Sequence, residues 1–529
     1  MSRTATYLRG YIEGEVTTRQ DIRQQYQNDK SVLTIKPEIV VFPRVTNDIR
    51  KIASFVHQLS EKGYPMSLAA RGAGLDTTGA SLTKGILLDV TKHMNEIFEY
   101  DSRQKLVRLQ PGVSIKQLQD NLNLFGVEIP QFTDIPNSSS VGGVIANGVH
   151  SSEQDSFCNI NSCINQLEVI LSNGDIIQTG RLSKREVNAK KGLQSLEGDI
   201  YRGIDRILEE YAETISNIDP NDNTGYNSIS KVGSRDGSID LTPLFVGAQG
   251  TLGIISEMIL KAEPSIGDTS YCALIFKDTT RSLEVCEELT KRKIDVLKYI
   301  DARLIEQAIS TGKNIPYYAS VSEDFKPSSI VLVGISNPNH SKRKRALKRI
   351  QSKYKNEPDL SIYLPEEDDD SIKSLLDITE YVSLSQDEPL ILPKLYENIH
   401  VPKDKTSDFF KAIDMLSKKY ARDMPIIGDI LSRKFSLYPI FNLLKITDKQ
   451  KLFKLIDDLS IVVNKLDCIL TPDGAEGKTK ARFIYTRLNQ DLTKIYKDIQ
   501  SVFDPHGVLI NDNKSTIDIR NLIQNIRQP

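Results

Sequence analysis

The sequence PNSSSVGGVIANGVH at residues 136–150 joins a run of hydroxyl side chains to a double glycine, and it constrains the fold more than any other stretch. Hydroxyl donors beside bare backbone suit a pyrophosphate group, which needs several donors at short range. Two other segments are also punctuated by glycine, RGAGLDTTG at 71–79 and GAQGTLGII at 247–255. Each segment alone is compatible with an ordinary turn. Their occurrence in this order indicates a site for a pyrophosphate-bearing ligand.

The segment 71–79 follows a predicted strand at 65–72. Gly72 and Gly74 allow a tight turn that points successive N–H groups at one spot. The segment differs from the GxGxxG dinucleotide fingerprint, because Gly79 comes five residues after the second glycine rather than three. Taken alone, the segment favours an ordinary strand–loop–strand turn over a phosphate-binding loop.

Composition restricts the class of protein. The chain has 529 residues, of which 68 are Lys or Arg and 70 are Asp or Glu, so its formal charge is −2. This length suits two or three domains, and the near-neutral charge argues against a nucleic-acid partner. No run reaches the roughly 18 apolar residues of a transmembrane helix, and the N-terminus lacks an apolar signal core. We therefore expect a cytoplasmic protein without a transmembrane segment.

Apolar periodicity predicts how the chain is organised. Residues 37–72 read as a strand–helix–strand unit, and the Asn-Gly pair within 167–180 predicts a hairpin. Beyond Pro264, strand-like runs alternate with charged helices, which is typical of an α+β domain. The predicted parts are an N-terminal helical segment at 1–35, a ligand-binding domain at 36–264, a second domain at 265–490, and a C-terminal helix and tail at 491–529.

The glycine segments resemble a known family. RGAGLDTTGA, LQPGVSIKQLQD, SSSVGGVIANG and FVGAQGTLGII, within residues 20–264, are similar to the flavin-binding domain of the vanillyl-alcohol oxidase / p-cresol methylhydroxylase superfamily. The C-terminal FDPHGVLINDNK resembles the tail of its D-lactate dehydrogenase / glycolate oxidase branch. The resemblance implies an α+β fold, in which a two-subdomain FAD-binding domain of the p-cresol methylhydroxylase (PCMH) type is joined to an α+β cap with an antiparallel sheet.

The resemblance also implies which residues bind FAD. The family attaches FAD covalently in some members through a His of the first loop. Here Leu75 and Asp76 occupy that neighbourhood, so noncovalent FAD is expected. The residues that match the family's FAD-binding positions are Arg71, Gly72, Ala73, Gly74, Leu75, Asp76, Ser140, Val141, Gly142, Gly143, Asn147, Gly148 and Ile255.

The match weakens where the branch carries its catalytic residues. Members of the branch have histidine-containing HxGDGN and GEHGDG segments, through which some bind a divalent metal. The similar segment at 424–440 keeps Gly428 and Asp429 but has no histidine, and Gly474 stands where the second segment has one. We therefore expect no metal ligands.

Five other residues are candidates for the catalytic site. His150 ends the second glycine loop, and His400 lies in YENIHVPK, which resembles a substrate-facing strand of the cap. Lys478, Lys480 and Arg482 recur at every second position. On a strand they would share one face and suit a carboxylate or phosphate. Alternating charge along an exposed edge explains the same pattern.

The resemblance implies an FAD-dependent oxidoreductase that transfers hydride from a hydroxyl-bearing small molecule, such as the 2-hydroxy acids D-lactate or glycolate, to flavin N5. A sugar-lactone or polyol oxidase of the same superfamily is an alternative. A flavin-binding protein that has lost or redirected catalysis is another, because the branch's histidines are missing. The electron acceptor is oxygen, a quinone or a carrier protein.

Overall fold

The computed structural model describes residues 3–527, except 133–134, 149–159, 221, 266, 311, 313–314, 316–317, 319–320, 322–324, 366–371, 373, 377, 380–381, 383–389, 471, 487 and 516. The chain divides into two compact units. The first unit comprises Met1–His150, Asn159–Glu263 and Thr471–Arg527, and the second comprises Pro264–Leu470.

The first unit contains both helices and strands. Its helices are Arg3–Tyr11, Gln20–Gln25, Thr46–Glu61, Ile115–Asn123, Val141–Asn147, Lys184–Lys191, Leu196–Glu210, Ala212–Ser216, Thr242–Phe245, Gly477–Tyr485, Gln490–Phe503 and Ile519–Gln524. Its strands are β1 (Glu15–Thr17), β2 (Ile39–Phe42), β3 (Leu68–Arg71), β4 (Ile86–Asp89), β5 (Ile97–Asp101), β6 (Leu106–Leu109), β7 (Val127–Glu128), β8 (Ile164–Ile170), β9 (Ile176–Gln178), β10 (Arg181–Leu182), β11 (Ile239–Asp240) and β12 (Ile254–Lys261). The short strand β13 (Glu263–Pro264) ends this part of the chain.

A four-stranded sheet of order β1-β2-β4-β3 places the first glycine loop. Strands β2 and β3 both pair with β4 in parallel, and the helix Thr46–Glu61 connects them. That helix buries Ile49, Ile52, Ala53 and Val56, whose spacing gives it one apolar face against the sheet. The predicted strand–helix–strand unit is confirmed, with β4 inserted between its strands. The loop that follows Arg71 therefore begins at the carboxyl end of a parallel strand.

A five-stranded sheet of order β5-β6-β12-β8-β9 contains the end of the third glycine segment, since β12 begins at Ile254. All of its pairs are antiparallel, and β12 lies at its centre between β6 and β8. Strands β8 and β9 form the predicted hairpin, in which Gly174 adopts φ +89°. The helix Val141–Asn147 packs its apolar residues into the core that this sheet shares with Leu244 and Phe245.

The second unit contains a seven-stranded sheet of order β17-β14-β16-β15-β20-β21-β19. All of its pairs are antiparallel, which confirms the predicted α+β cap with an antiparallel sheet. The strands are β14 (Thr269–Phe276), β15 (Val296–Asp301), β16 (Ser329–Ser336), β17 (Leu360–Tyr363), β18 (Leu390–Ile391), β19 (Ile399–His400), β20 (Ile426–Asp429), β21 (Lys434–Leu437) and β22 (Phe441–Asn442). The helices are Thr279–Leu289, Ala302–Ser310, His340–Tyr354, Thr406–Tyr420 and Ile446–Lys465.

The structure differs from the sequence-based expectation between residues 471 and 490. These residues were expected in the cap, but they group with the first unit. The strand considered for Lys478–Arg482 is not formed, because residues Gly477–Tyr485 form a helix. Its first N–H groups donate to Gln249 Oε1 and Thr78 O of the same unit. Across the part of the chain that the structure describes, every helix is too short or too polar to cross a membrane.

Candidate functional site

The first and second glycine loops lie against each other. A Cβ atom at position 72 would clash with Ser140 Oγ, and one at position 143 would lie 2.8 Å from the same oxygen. Ser140 precedes the helix Val141–Asn147, and its loop is fixed by the bond from Ile115 N to Ser139 O at 2.9 Å. Glycine is therefore required where the loop backbones approach the Ser140 hydroxyl.

Arg71 connects the first loop to the N-terminal segment. Its Nη2 donates to Asn28 O at 2.8 Å, and its guanidinium lies 5.3 Å from the centre of the Tyr26 ring. Gly74 has φ +74°, and a side chain there would clash with this guanidinium. Arg71 thus holds the shape of the loop through the backbone of residues 26–28.

The Asp76 carboxylate caps its own loop. It accepts hydrogen bonds from Ala80 N at 2.7 Å and Thr78 Oγ1 at 2.9 Å. It also accepts one from Asn147 Nδ2 at 3.2 Å. A single carboxylate therefore joins the first loop to the end of the second.

Gln249, from the third glycine segment, completes this network. Its Nε2 donates to Asn147 Oδ1 at 2.9 Å and to Thr78 Oγ1 at 3.2 Å. Its Oε1 accepts from Gly477 N at 2.8 Å, at the start of the helix Gly477–Tyr485. The amide of Gln249 is buried. Its hydrogen bonds connect the third glycine segment to the first loop, the second loop and the helix Gly477–Tyr485.

A second group of glycines surrounds the Asp473 carbonyl. Gly148 and Gly247 both have positive φ, at +69° and +75°. A Cβ at position 247 would lie 2.9 Å from Asp473 O, and one at position 148 would clash with the same oxygen. The ends of the second and third segments are therefore packed directly on the segment that precedes the helix Gly477–Tyr485.

The C-terminal tail is fixed by buried charges. Lys514 Nζ pairs with Glu476 Oε2 and also donates to Gly474 O. Neither side chain of the pair is exposed to solvent. Burial raises the pKa of Glu476 and lowers the pKa of Lys514, and in each case the partner opposes the shift. Asn513 Nδ2 donates to Ala80 O at 2.9 Å and Gln249 O at 3.1 Å.

The lysines expected to anchor a substrate are engaged elsewhere or buried. Lys478 Nζ donates to Asp512 Oδ1 at 2.6 Å and Asn513 Oδ1 at 3.1 Å. Arg482 Nη1 donates to Ile517 O at 3.2 Å. Lys480 is buried, with 3% of its surface exposed. On a helix, residues two apart point in different directions, so the predicted common face of the three cations is not formed.

The histidine candidates are placed differently. His150 lies outside the described residues. His400 is in β19, at the edge of the seven-stranded sheet, as the predicted strand requires. It is half-buried, and its backbone N donates to Ile469 O at 2.9 Å. Asp429 belongs to the segment that resembles HxGDGN. Its carboxylate accepts from Ser432 N at 2.8 Å and Ser432 Oγ at 3.0 Å, so it stabilises a turn of the second unit.

One buried carboxyl beside the first loop is strongly perturbed. Burial, together with the nearby charge of Asp76, raises the pKa of Asp29 to about 7. Its Oδ1 accepts from Ser31 N at 2.8 Å, while its Oδ2 is buried without a hydrogen-bond partner among the described residues. At neutral pH this carboxyl is held partly protonated against the loop.

The arrangement suits a pyrophosphate. Gly72, Gly143 and Ser140 bring two backbones and a hydroxyl together where side chains are excluded. Val141 and Ile255 are buried, and Gly142 lies against Pro111. Sequence reasoning found the glycines but missed Gln249, Glu476 and Lys514. Gln249 lies between two glycines, whereas Glu476 and Lys514 lie among other polar residues and give no distinct signal.

Comparison with known proteins identifies an FAD binding domain in the first unit. Residues 37–180 match the protein family described as an FAD binding domain. The chain is 30% identical over 254 residues to D-2-hydroxyglutarate dehydrogenase of Pantoea ananatis, a match that covers 47% of this chain and 25% of that protein. It is 23% identical over 502 residues to glycolate oxidase subunit GlcD of Bacillus subtilis, covering 94% of this chain and 91% of that one. The chain therefore matches only a quarter of the dehydrogenase.

Solved structures share the fold. The 4-ethylphenol oxidase from Gulosibacter chungangensis superimposes with a TM-score of 0.69 at 14% identity, covering 98% of both chains. A substrate-bound p-cresol methylhydroxylase gives a TM-score of 0.67 at 13% identity, covering 98% of this chain and 97% of that one. The PCMH-type fold expected from the sequence is confirmed.

The chain thus has an FAD binding domain at residues 37–180 and shares its fold with 4-ethylphenol oxidase and p-cresol methylhydroxylase. It carries an FAD binding domain, which confirms the expected cofactor, and its similar proteins include D-2-hydroxyglutarate dehydrogenase and glycolate oxidase subunit GlcD.

Proposed function

We propose that the chain is an FAD-dependent oxidoreductase that oxidises a hydroxyl-bearing small molecule, with a 2-hydroxy acid as the substrate class. The observation that carries the proposal is the FAD binding domain at 37–180 in a chain similar over 94% of its length to a glycolate oxidase subunit. The relatives D-2-hydroxyglutarate dehydrogenase and glycolate oxidase are both named for 2-hydroxy acids.

In this proposal FAD is held noncovalently. The residues assigned to its binding are those of the first loop, Arg71–Asp76, those of the second loop, Ser140–Gly143 with Asn147 and Gly148, and Ile255 of β12. When bound, FAD supplies an acceptor for hydride. Arg71 and Asp76 serve by shaping the loops, since both are engaged with protein atoms. The backbones of Gly72 and Gly143 with the Ser140 hydroxyl would face the pyrophosphate.

The chain must also remove the proton of the substrate hydroxyl. His150 and His400 are the proposed acceptors, because a neutral imidazole takes up a proton near neutral pH. Replacing each histidine separately with Gln should leave FAD binding intact, and the variant that loses flavin reduction identifies the base.

Lys478 and Arg482 lie four residues apart on one helix, and both contact the C-terminal tail. We assign them to holding the tail rather than to binding the substrate. Lys478→Met should accordingly lower thermal stability without a selective rise in KM. A selective rise in KM would show instead that Lys478 binds the substrate.

Anaerobic flavin reduction tests the proposal. FAD-loaded protein is mixed with D-2-hydroxyglutarate, D-lactate, glycolate, aldonolactones and polyols, and the absorbance of oxidised flavin is followed. Bleaching by a 2-hydroxy acid supports the proposal. Bleaching only by lactones or polyols supports the alternative oxidase, and no bleaching supports a flavin-binding protein without this catalysis. Reoxidation by oxygen, a quinone or a carrier protein then identifies the acceptor.

A further inference from the structure

Three potential metal ligands meet on the first unit, on side chains that the glycine loops do not use. His57 and Glu61 lie one turn apart on the helix Thr46–Glu61, and His506 lies in the turn after the helix Gln490–Phe503. Among the described residues, this is the group of at least three His, Cys, Asp or Glu whose ligand atoms all lie within 4.8 Å of one another.

The distances fit a single ion. Glu61 Oε1 lies 3.6 Å from His57 Nε2 and 3.9 Å from His506 Nε2. Ligands at about 2.0–2.2 Å from a tetrahedral ion lie roughly 3.3–3.5 Å from each other. Small rotations of the side chains are therefore enough to close the site. The two imidazole rings are perpendicular, with centroids 4.7 Å apart, so they do not stack face to face.

The backbone around the ligands is already ordered. Asp504 Oδ1 and Oδ2 accept from Val508 N at 2.9 Å and Leu509 N at 2.7 Å, which fixes the turn that carries His506. Glu61 is the last residue of its helix, where the helix dipole presents its negative end. That end favours a cation.

We propose that His57, Glu61 and His506 bind one divalent transition-metal ion of the zinc type. Two imidazoles and one carboxylate are a ligand set that suits such ions, and a fourth position is left for water. The side chains of Glu61 and His506 are 48% and 41% exposed, so an ion can enter from solvent.

The ion would connect two segments that are distant in sequence. Leu68 N donates to Val508 O at 2.9 Å, so the turn carrying His506 is continuous with the tail that pairs with β3. Strand β3 leads into the first glycine loop. Metal binding would fasten the tail to the helix Thr46–Glu61 and so raise thermal stability.

One feature limits the affinity. His57 Nδ1 is buried and has no hydrogen-bond partner among the described residues. A metal-bound histidine ordinarily donates its other N–H to an acceptor, and loss of that acceptor weakens binding about 10–100-fold. Binding is therefore expected to be weaker than at a structural zinc site.

Calorimetric titration of the full FAD-loaded chain with ZnCl2, after treatment with a chelator, tests the proposal. We expect one Zn²⁺ per chain, and affinity lowered about tenfold or more in His506→Ala and in Glu61→Gln. Both residues are half-exposed, so the variants should fold. The matched control is His93→Ala, which removes an imidazole paired with the single carboxylate of Glu15.

Zinc should raise the Tm of wild type and His93→Ala, but not that of His506→Ala. Absence of zinc binding by the wild type, or equal affinity in wild type and both ligand variants, would overturn the proposal. The flavin absorbance measured in the same samples reports FAD binding separately, so failure of the metal site is distinguishable from failure of the flavin site.

Discussion

Gln249 Nε2 lies 2.9 Å from Asn147 Oδ1, and this hydrogen bond joins the third glycine segment to the second. The backbone of Gln249 has a φ of +52°. This left-handed conformation costs a residue with a side chain about 1–2 kcal/mol. The amide contacts of Gln249 with Thr78, Asn147 and Gly477 thus offset this backbone strain.

Gln249→Glu should weaken FAD binding and stability. A carboxylate would place a second acceptor oxygen against Asn147 Oδ1, in place of the donor that the amide provides. An unsatisfied buried polar group costs about 1–3 kcal/mol. Chemical denaturation and FAD titration measure both effects. Gln20→Glu, at an exposed position, is the control and should change the free energy of unfolding by less than about 0.5 kcal/mol. Equal behaviour of the two variants would refute the role of the network.

Gly72→Ala should prevent FAD binding. The added Cβ would clash with Ser140 Oγ and lie 3.1 Å from Ser140 Cβ, so either the Ser140 hydroxyl leaves its position between the loops or the loops separate. The flavin-to-protein absorbance ratio of the purified variant measures the loss. Gly10→Ala, on the helix Arg3–Tyr11, meets no atom within 4 Å and should retain full flavin content. Full flavin content in Gly72→Ala would show that the loops do not close on the cofactor there.

Lys514→Met should destabilise the chain by about 3–5 kcal/mol, because it leaves Glu476 buried without its partner. Adding Glu476→Gln should recover part of this loss, since no uncompensated charge then remains. Free energies of unfolding for the two single variants and the double variant give the coupling. The exposed pair formed by Lys116 with Asp120 is the control, and Lys116→Met should cost at most about 1 kcal/mol. A double variant that loses the sum of the single effects would contradict a coupled pair.

Asp29 should make stability fall as pH rises. Its pKa is about 7 in the folded chain against a usual value of 3.8, so between these values the folded state holds a proton that the unfolded state has lost. The slope of unfolding free energy with pH is then negative, and the total loss by pH 7 is up to about 4 kcal/mol. Asp29→Asn keeps an acceptor for Ser31 N, and its free energy of unfolding should depend less on pH. The stability of the variant relative to wild type should therefore rise from pH 4 to pH 7.

Denaturation of the FAD-loaded chain across this pH range provides the measurement. Asp21→Asn is the control, because its exposed carboxylate hydrogen-bonds Arg19, which lowers the pKa of Asp21. In that variant the free energy of unfolding should still fall between pH 4 and pH 7, as in wild type. An unchanged slope in Asp29→Asn would show that Asp29 ionises normally.

The sequence predicted the parts of the fold that depend on local pattern. The apolar face of Thr46–Glu61 and the Asn-Gly turn between β8 and β9 are local signals, and both elements formed as expected. The glycines at 72, 143 and 148 were predicted correctly because positions where a side chain would meet neighbouring atoms favour glycine, and glycine is visible in the sequence. These features need no knowledge of distant partners.

The remaining features depend on partners far apart in the chain. Gln249 hydrogen-bonds Thr78, 171 residues away in the sequence, and apolar periodicity along the chain cannot predict such a contact. Charge alternation at Lys478 and Lys480 has the period of a strand, whereas the segment is a short helix that hydrogen-bonds the C-terminal tail. Its lysines are buried for that reason. The pairing of Glu476 with Lys514 was equally unreadable from composition.

Comparing anaerobic flavin bleaching by a 2-hydroxy acid that carries hydrogen at C2 with bleaching by its C2-deuterated form tests the proposed hydride transfer most directly. Because that C–H bond breaks as the flavin is reduced, we predict rapid bleaching that is slower with deuterium. Flavin that stays oxidised with every 2-hydroxy acid, or bleaching at the same rate for both isotopes, would contradict the account.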